Sequence, residues 1–453
     1  MHILLFIFYS CLLCYGVIKI PFIRKSGIRP VWLLLFFAAH VTLGCLHNMI
    51  AWRFYPGHGD IWDFFQRSFL ARRQLTEDLH AFLVYNANWN YFTHNNIIWV
   101  HVVLNFLSRD NIYINTLLFS FPVFLGNIAL FRVFRRRFPN DPLTALSVLV
   151  FPSTLFWTAC IHREGAIYGL LGFLFYYMDR LLPDHMDRLL PSSPLASRAS
   201  FRWALYCFLL FIAVIYFRPA VALTLSPALL AWWLFEKVSS RRKALTIAAA
   251  TGIALLLVVF ILPATIAPLL QSLSDRQKEF QVLEGGSRLY LPLLEPNGAG
   301  FLRVLPTGAR NGLFEPLPGS GGKTLYTLFS AELLLVWGLI ALAIVRKTLT
   351  RNAAARTFLP SAPLSKSSAP QPDLPPSPSV FPFAAACWLF ALPGLILVGM
   401  IVPFAGAIVR YRSIFLPFLL APFLHSLRGT DLIKKLNRSL SLYLMEVKDG
   451  DIH

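Results

Sequence analysis

The 453-residue sequence predicts an all-α polytopic membrane protein with about eleven transmembrane helices and two large outer loops. Three observations predict it. Hydrophobic residues make up 56% of the chain and charged residues 14%, where soluble domains carry roughly 25% charged. Mean hydropathy over the full length is +0.59. Apolar runs of bilayer-crossing length, roughly 17–25 residues, recur from one end of the chain to the other. Together these exclude a soluble enzyme, a disordered tail protein and a fibrous repeat.

The runs fall at 3–20, 32–52, 111–131, 143–160, 165–178, 203–217, 219–235, 244–270, 324–345, 381–403 and 411–427. The first has neither a basic n-region nor a small-residue cleavage site, so it reads as a retained span and not a signal peptide. The runs at 165–178 and 203–217 are short, and 244–270 is long, with Pro263 and Pro268 near its end.

Net charge is +19, from 41 Lys+Arg against 22 Asp+Glu. In a soluble chain this balance would suggest nucleic acid. Here the basic residues sit in short runs between spans, where they set orientation and meet anionic headgroups, so no nucleic-acid partner is expected. Arg24–Arg29, Arg132–Arg137, Lys237–Lys243, Arg346–Arg351 and Arg428–Arg438 fall on one side if the spans alternate. That side is expected to be cytoplasmic, with the N-terminus outside and the C-terminus inside.

The predicted organisation follows. Residues 1–31 hold the first span and a cytoplasmic loop, and 32–345 form a membrane core with outer loops 53–110 and 271–323. A Pro/Ser-rich cytoplasmic linker, 346–380, precedes C-terminal spans over 381–427 and a cytoplasmic tail, 428–453. Loops as long as the outer two are usually functional or disordered. No internal repeat is found.

The chemistry-bearing residues gather in the outer segments. Asp60 and Asp63 lie in Tyr-Pro-Gly-His-Gly-Asp-Ile-Trp-Asp. A carboxylate held at the membrane surface beside aromatics can take a proton from an alcohol. Asp60 as a helix cap and Asp63 as a solvated acid is the plainer alternative. His162, Arg163 and Glu164 interrupt an otherwise tight outer hairpin, and ionisable groups near a membrane are costly unless they face water or one another. Arg218, Arg410 and Arg412 run against the orientation bias. An outward guanidinium suits a phosphate, although each alone could snorkel to lipid headgroups.

Trp62, and Trp89 and Tyr91 within an Asn-rich aromatic stretch, could stack on a sugar or anchor at the interface. Glu332 reads equally as a buried, satisfied acid or a site residue. Gly319–Thr324 lacks the spacing of a phosphate-binding P-loop, because position 317 is Leu. The six cysteines lie in or beside apolar runs and suggest neither disulfides nor a metal site.

The acidic loop motif (GHGDIWDFF), FPSTLFWTACIHREG, YFRPAVALTLSP, GLFEPLP and IVRYRSIFLPFLL occur in that order. In this order the chain resembles the GT-C superfamily of integral-membrane glycosyltransferases, in its polyprenyl-phosphate-sugar-dependent, protein-mannosyltransferase-like branch, over residues 32–427. The resemblance implies a GT-C-like fold and transfer of a sugar from a polyprenyl-phosphate donor to a glycan, lipid or protein acceptor outside the cytoplasm. The setting it implies is a bacterial inner membrane with the active site facing the periplasm, in cell-envelope glycan assembly. It makes Asp60 the catalytic base with Asp63 in reserve, and Glu164 the second acidic position. The donor phosphate would fall to Arg163, Arg218, Arg410 and His162. The family often carries a Tyr after its loop Asp, whereas Trp62 and Phe64 follow here, which leaves Asp60 and Asp63 both open. No cofactor or metal ligand is assigned, and a divalent metal stays open. Rival expectations are an O-antigen-type ligase or polymerase using lipid pyrophosphate, and a lipid-linked saccharide flippase.

Overall fold

The computed structural model describes residues 1–55, 57, 59–80, 95–182, 194–237, 246, 263–318, 324–356 and 380–446. Its elements are helices. Among the described residues seven are long and apolar enough to cross a membrane: α1 (His2–Lys19), which the short α2 (Pro21–Arg24) follows, α3 (Pro30–Phe54), α6 (Ile112–Arg137), α10 (Pro194–Phe217), α11 (Pro219–Lys237), α14 (Thr324–Arg356) and α15 (Val380–Ile401). An eighth is reached if α16 (Ala405–Arg412) and α17 (Leu416–Leu427), bent by 61°, count as one broken span. The chain is therefore a multi-pass integral membrane protein, all-helical over the described residues.

Three predicted runs account for the smaller number. The run 143–160 is broken into α7 (Pro142–Val150) and α8 (Pro152–Thr158). Phe151 between them is extended, at φ −63 and ψ 120, because the following Pro152 disfavours the helical region. The run 165–178 lies in α9 (Arg163–Leu181), whose first and last turns carry Arg163, Glu164, Asp179 and Arg180. Of the run 244–270, residues 244–245 and 247–262 lie outside the described residues, and from Pro263 α12 continues to Val282.

The two segments expected to lie outside also hold helices. Residues 53–110 hold α4 (Gly59–Glu77) and α5 (Asn95–Ser108), and 271–323 hold the end of α12, an extended passage and α13 (Gly298–Phe314). The expected linker starts later than predicted, because α14 runs on to Arg356, and 357–379 lie outside the described residues. In the tail, α18 (Asp431–Leu444) turns Leu432, Leu436 and Leu442 outward. Its end is clamped to the start of α3 by Arg29 N–H to the Leu444 carbonyl (2.9 Å) and Trp32 Nε1–H to the Tyr443 carbonyl (3.0 Å).

Small residues set the central packing. Gly126 of α6 lies against Gly169 and Gly172 of α9 so closely that a Cβ at either Gly126 or Gly172 would strike the facing carbonyl. Such contacts let helix backbones approach where lipid removes the hydrophobic incentive to associate. Beyond them, Arg137 is fully buried and pairs with Asp179 and Glu236, each at 2.5 Å, tying α6, α9 and α11 together. Helices of 25 and 26 residues, as α3 and α6 are, extend about 37–39 Å. The basic residues Arg24, Lys25, Arg132, Arg135 and Arg136 line one cleft at one end of this pair. The two large loops meet at the other.

Candidate active site

Asp60 is delivered by a turn and a helix. Gly57 and Gly59 both hold positive φ (61° and 71°), which glycine adopts without a Cβ penalty, and α4 starts there with Asp60 in its first turn. The inner side of α4 buries Ile61, Phe64, Phe65 and Ser68, which holds the helix by its apolar side and leaves Asp60 at its tip.

His162 and Glu164 come from the turn between α8 and α9. His162 N–H donates to the Cys160 carbonyl at 2.7 Å, a tight reversal that ends where α9 begins. Glu164 falls in the first turn of α9, where the positive end of the helix dipole favours a carboxylate. Arg218 sits at the break between α10 and α11, just before Pro219. Arg410 rides on α16, the first limb of the bent pair.

These side chains line one pocket: Asp60, Phe64, His162, Arg163, Glu164, Arg218, Arg276, Arg410 and Tyr411. Arg410 Nη1 donates to Asp60 Oδ2 at 2.8 Å and Nη2 to the Tyr411 hydroxyl at 2.9 Å. Arg218 Nη2 pairs with Glu164 Oε1 at 2.9 Å, and Arg410 Nε lies 3.9 Å from the same oxygen. The Arg218 guanidinium also lies 4.0 Å from the centre of the Tyr411 ring. Four guanidinium groups thus face two carboxylates, an excess of positive charge suited to an anion.

The field is legible in the titrating groups. Burial works to raise the Glu164 carboxyl, but Arg218 and then Arg410 outweigh it and bring it down to about 2. Glu164 is therefore ionised at any physiological pH. Burial, followed by Arg410, lowers His162 to about 4, which makes it a neutral imidazole. Burial, then Arg218, lowers Arg163 to about 10 and leaves it charged at neutral pH.

A second, apolar cavity adjoins this pocket and shares Arg163, Arg218, Arg276 and Tyr411 with it. Phe217, Val221, Leu273, Phe280, Leu397 and Ile401 line its walls. One set of cations therefore stands between a charged recess and a greasy one.

Six of the predicted residues meet here: Asp60, His162, Arg163, Glu164, Arg218 and Arg410. Asp63 does not. It points to the helix surface and pairs with Arg67 one turn on at 2.9 Å. Trp62 also stands apart, donating Nε1–H to the Asn48 carbonyl (3.0 Å) and packing on Trp52 with ring centres 4.6 Å apart. Trp89 and Tyr91 lie outside the described residues, as does 319–323. Arg412 is buried elsewhere and donates to the Glu315 carbonyl at 2.6 Å. Glu332 accepts the Ser153 backbone N–H at 2.9 Å, which makes it a cap for α8.

Sequence reasoning missed Arg276, Tyr411 and Phe64. Tyr411 stands between Arg410 and Arg412, yet nothing in that spacing marks it as a surface for Arg218. Arg276 is one of several scattered arginines in the second large loop. No protein-family model matches the chain, and no curated protein or solved structure matches it.

Proposed function

We propose that the chain is a glycosyltransferase that moves a sugar from a polyprenyl-phosphate carrier to a hydroxyl acceptor at the non-cytoplasmic face of a bacterial inner membrane. One observation carries the reading: a recess with two carboxylates and four guanidinium groups opens, across shared arginines, onto an apolar cavity. A lipid phosphate has these two halves. The isoprenoid would lie along Leu273, Phe280 and Leu397 while Arg163 and Arg218 hold the phosphate oxygens.

In this reading the resting Asp60–Arg410 pair opens when the donor phosphate takes over Arg410. Asp60 then accepts the proton of the acceptor hydroxyl as the hydroxyl oxygen bonds to the anomeric carbon. The bond from that carbon to the phosphate oxygen breaks, and its electron pair leaves with the lipid phosphate. Attack opposite the leaving group inverts the anomeric centre. Glu164, held ionised by Arg218, keeps that guanidinium oriented.

The test is sugar transfer from synthetic polyprenyl-phosphate sugars by purified protein in lipid nanodiscs. Asp60→Asn should lower transfer by about 10²–10⁴-fold and Asp63→Asn should retain it. Transfer by Asp60→Asn at the wild-type rate ends the proposal. A preference for pyrophosphate carriers over monophosphate carriers would move the reading to a ligase or polymerase.

A further inference from the structure

Behind the charged pocket lies a cluster that the transfer chemistry does not use. His47 of α3 and Cys160 and His162 of the turn before α9 are all buried, and one ligand atom from each lies within 4.8 Å of the others. His47 is 6% exposed, its Nδ1 has no hydrogen-bond partner, and its ring centre lies 5.3 Å from that of His162. A buried imidazole nitrogen without a partner forgoes a hydrogen bond it would make in water, and here it stands on a ring grouped with a second imidazole and a thiol.

We infer that His47, Cys160 and His162 form a binding site for a thiophilic d10 cation, zinc being the natural probe. Imidazole and thiolate are the ligand types such ions prefer. In a tetrahedral site with bonds of roughly 2.0–2.3 Å the donor atoms sit about 3.3–3.8 Å apart. The present limit of 4.8 Å exceeds that spacing by about 1–1.5 Å. Binding forms the metal–sulfur bond as the Cys160 thiol loses its proton to solvent, and the thiolate cancels one of the ion's two charges. That matters beside Arg163 and Arg410.

Three protein ligands leave a fourth position free, the arrangement of zinc sites that keep an exchangeable water. His162 also lines the pocket of Asp60 and Glu164, so the proposed site shares a residue with the charged recess. The inference stands on the cluster alone and needs no transferase activity.

The experiment uses the purified full-length chain in detergent, stripped with chelator and reloaded with zinc or cobalt(II). Elemental analysis after desalting should find about one zinc per chain in the wild type and in Cys45→Ser, and a several-fold loss in Cys160→Ser and His47→Gln. The cobalt form should show a thiolate charge-transfer band that Cys160→Ser removes and Cys45→Ser keeps. If Cys160→Ser misfolds, His47→Gln decides, since it keeps the thiol and should lose the rise in unfolding temperature that zinc gives the wild type. A wild type that retains no zinc, or a charge-transfer band that survives Cys160→Ser, overturns the assignment.

Discussion

Arg410 Nη1 lies 2.8 Å from Asp60 Oδ2, joining the first large loop to the C-terminal bent helix pair across 350 positions of sequence. The Asp60 side chain is 50% exposed and that of Arg410 17%. The carboxylate thus faces the recess while the guanidinium anchors it from below. A half-exposed pair of this kind contributes little to stability, roughly 0–1 kcal/mol, so its placement speaks to function more than to folding.

Replacing Asp60 should therefore separate activity from stability. Asp60→Asn is expected to lower the transfer rate by about 10²–10⁴-fold, the usual worth of a positioned base, with the unfolding temperature near wild type. Asp63→Asn breaks only the surface pair with Arg67 and should leave both unchanged. Radiolabelled transfer and thermal unfolding on the same preparations check this.

Arg137 should behave in the opposite way. It is fully buried between Asp179 and Glu236, with Trp232 beneath it at 5.2 Å. Arg137→Met removes the cation that two buried carboxylates share, of which Asp179 keeps Arg136 at 2.7 Å. A loss of about 3–5 kcal/mol is expected, seen as poor yield and a large fall in unfolding temperature.

Gly126→Ala tests the contact between α6 and α9. Its new methyl group would meet the Gly169 backbone, which cannot rotate away as a side chain would. Overpacking of this sort costs about 1–3 kcal/mol, so unfolding in detergent should shift down by several degrees.

A pH dependence of stability should centre on Asp141. It caps α7 through Thr144 N–H at 3.2 Å, and accepts from Thr144 Oγ1 (2.6 Å) and Asn437 Nδ2 (3.1 Å), with His425 Nδ1 at 3.0 Å. Burial works to raise its carboxyl, but the bonds to His425 and Thr144 outweigh this and hold it below its ordinary 3.8. A depressed folded value means that the stabilisation is present above the unfolded value and is lost as pH falls through the folded one. Unfolding temperature should drop below about pH 4, and Asp141→Asn should start lower at neutral pH and show a weaker drop.

Much of the helical frame is legible in the sequence. Hydrophobic runs and the prolines and charges that bound them are local signals, and they place α1, α3, α6, α11 and α15 within a few residues. The candidate residues were legible as a set because ionisable groups beside apolar runs are costly and therefore conspicuous. Their assortment was not. Spacing alone left Asp60 and Asp63 equivalent, Arg410 and Arg412 equivalent, and Trp62 a candidate for sugar.

The amino-acid order by itself determined that this chain enters a membrane, where α1, α3, α6, α11 and α15 begin, and which few ionisable residues stand near helix ends. Tertiary structure decided that Asp60 meets Arg410 while Asp63 turns to Arg67, and that Arg218 reaches Glu164 while Arg412 is spent on the Glu315 carbonyl. The physical reason is range. A helix needs only its own residues to satisfy its backbone, whereas the direction in which a side chain points depends on how α4, α9 and α16 rotate to fill the space between them.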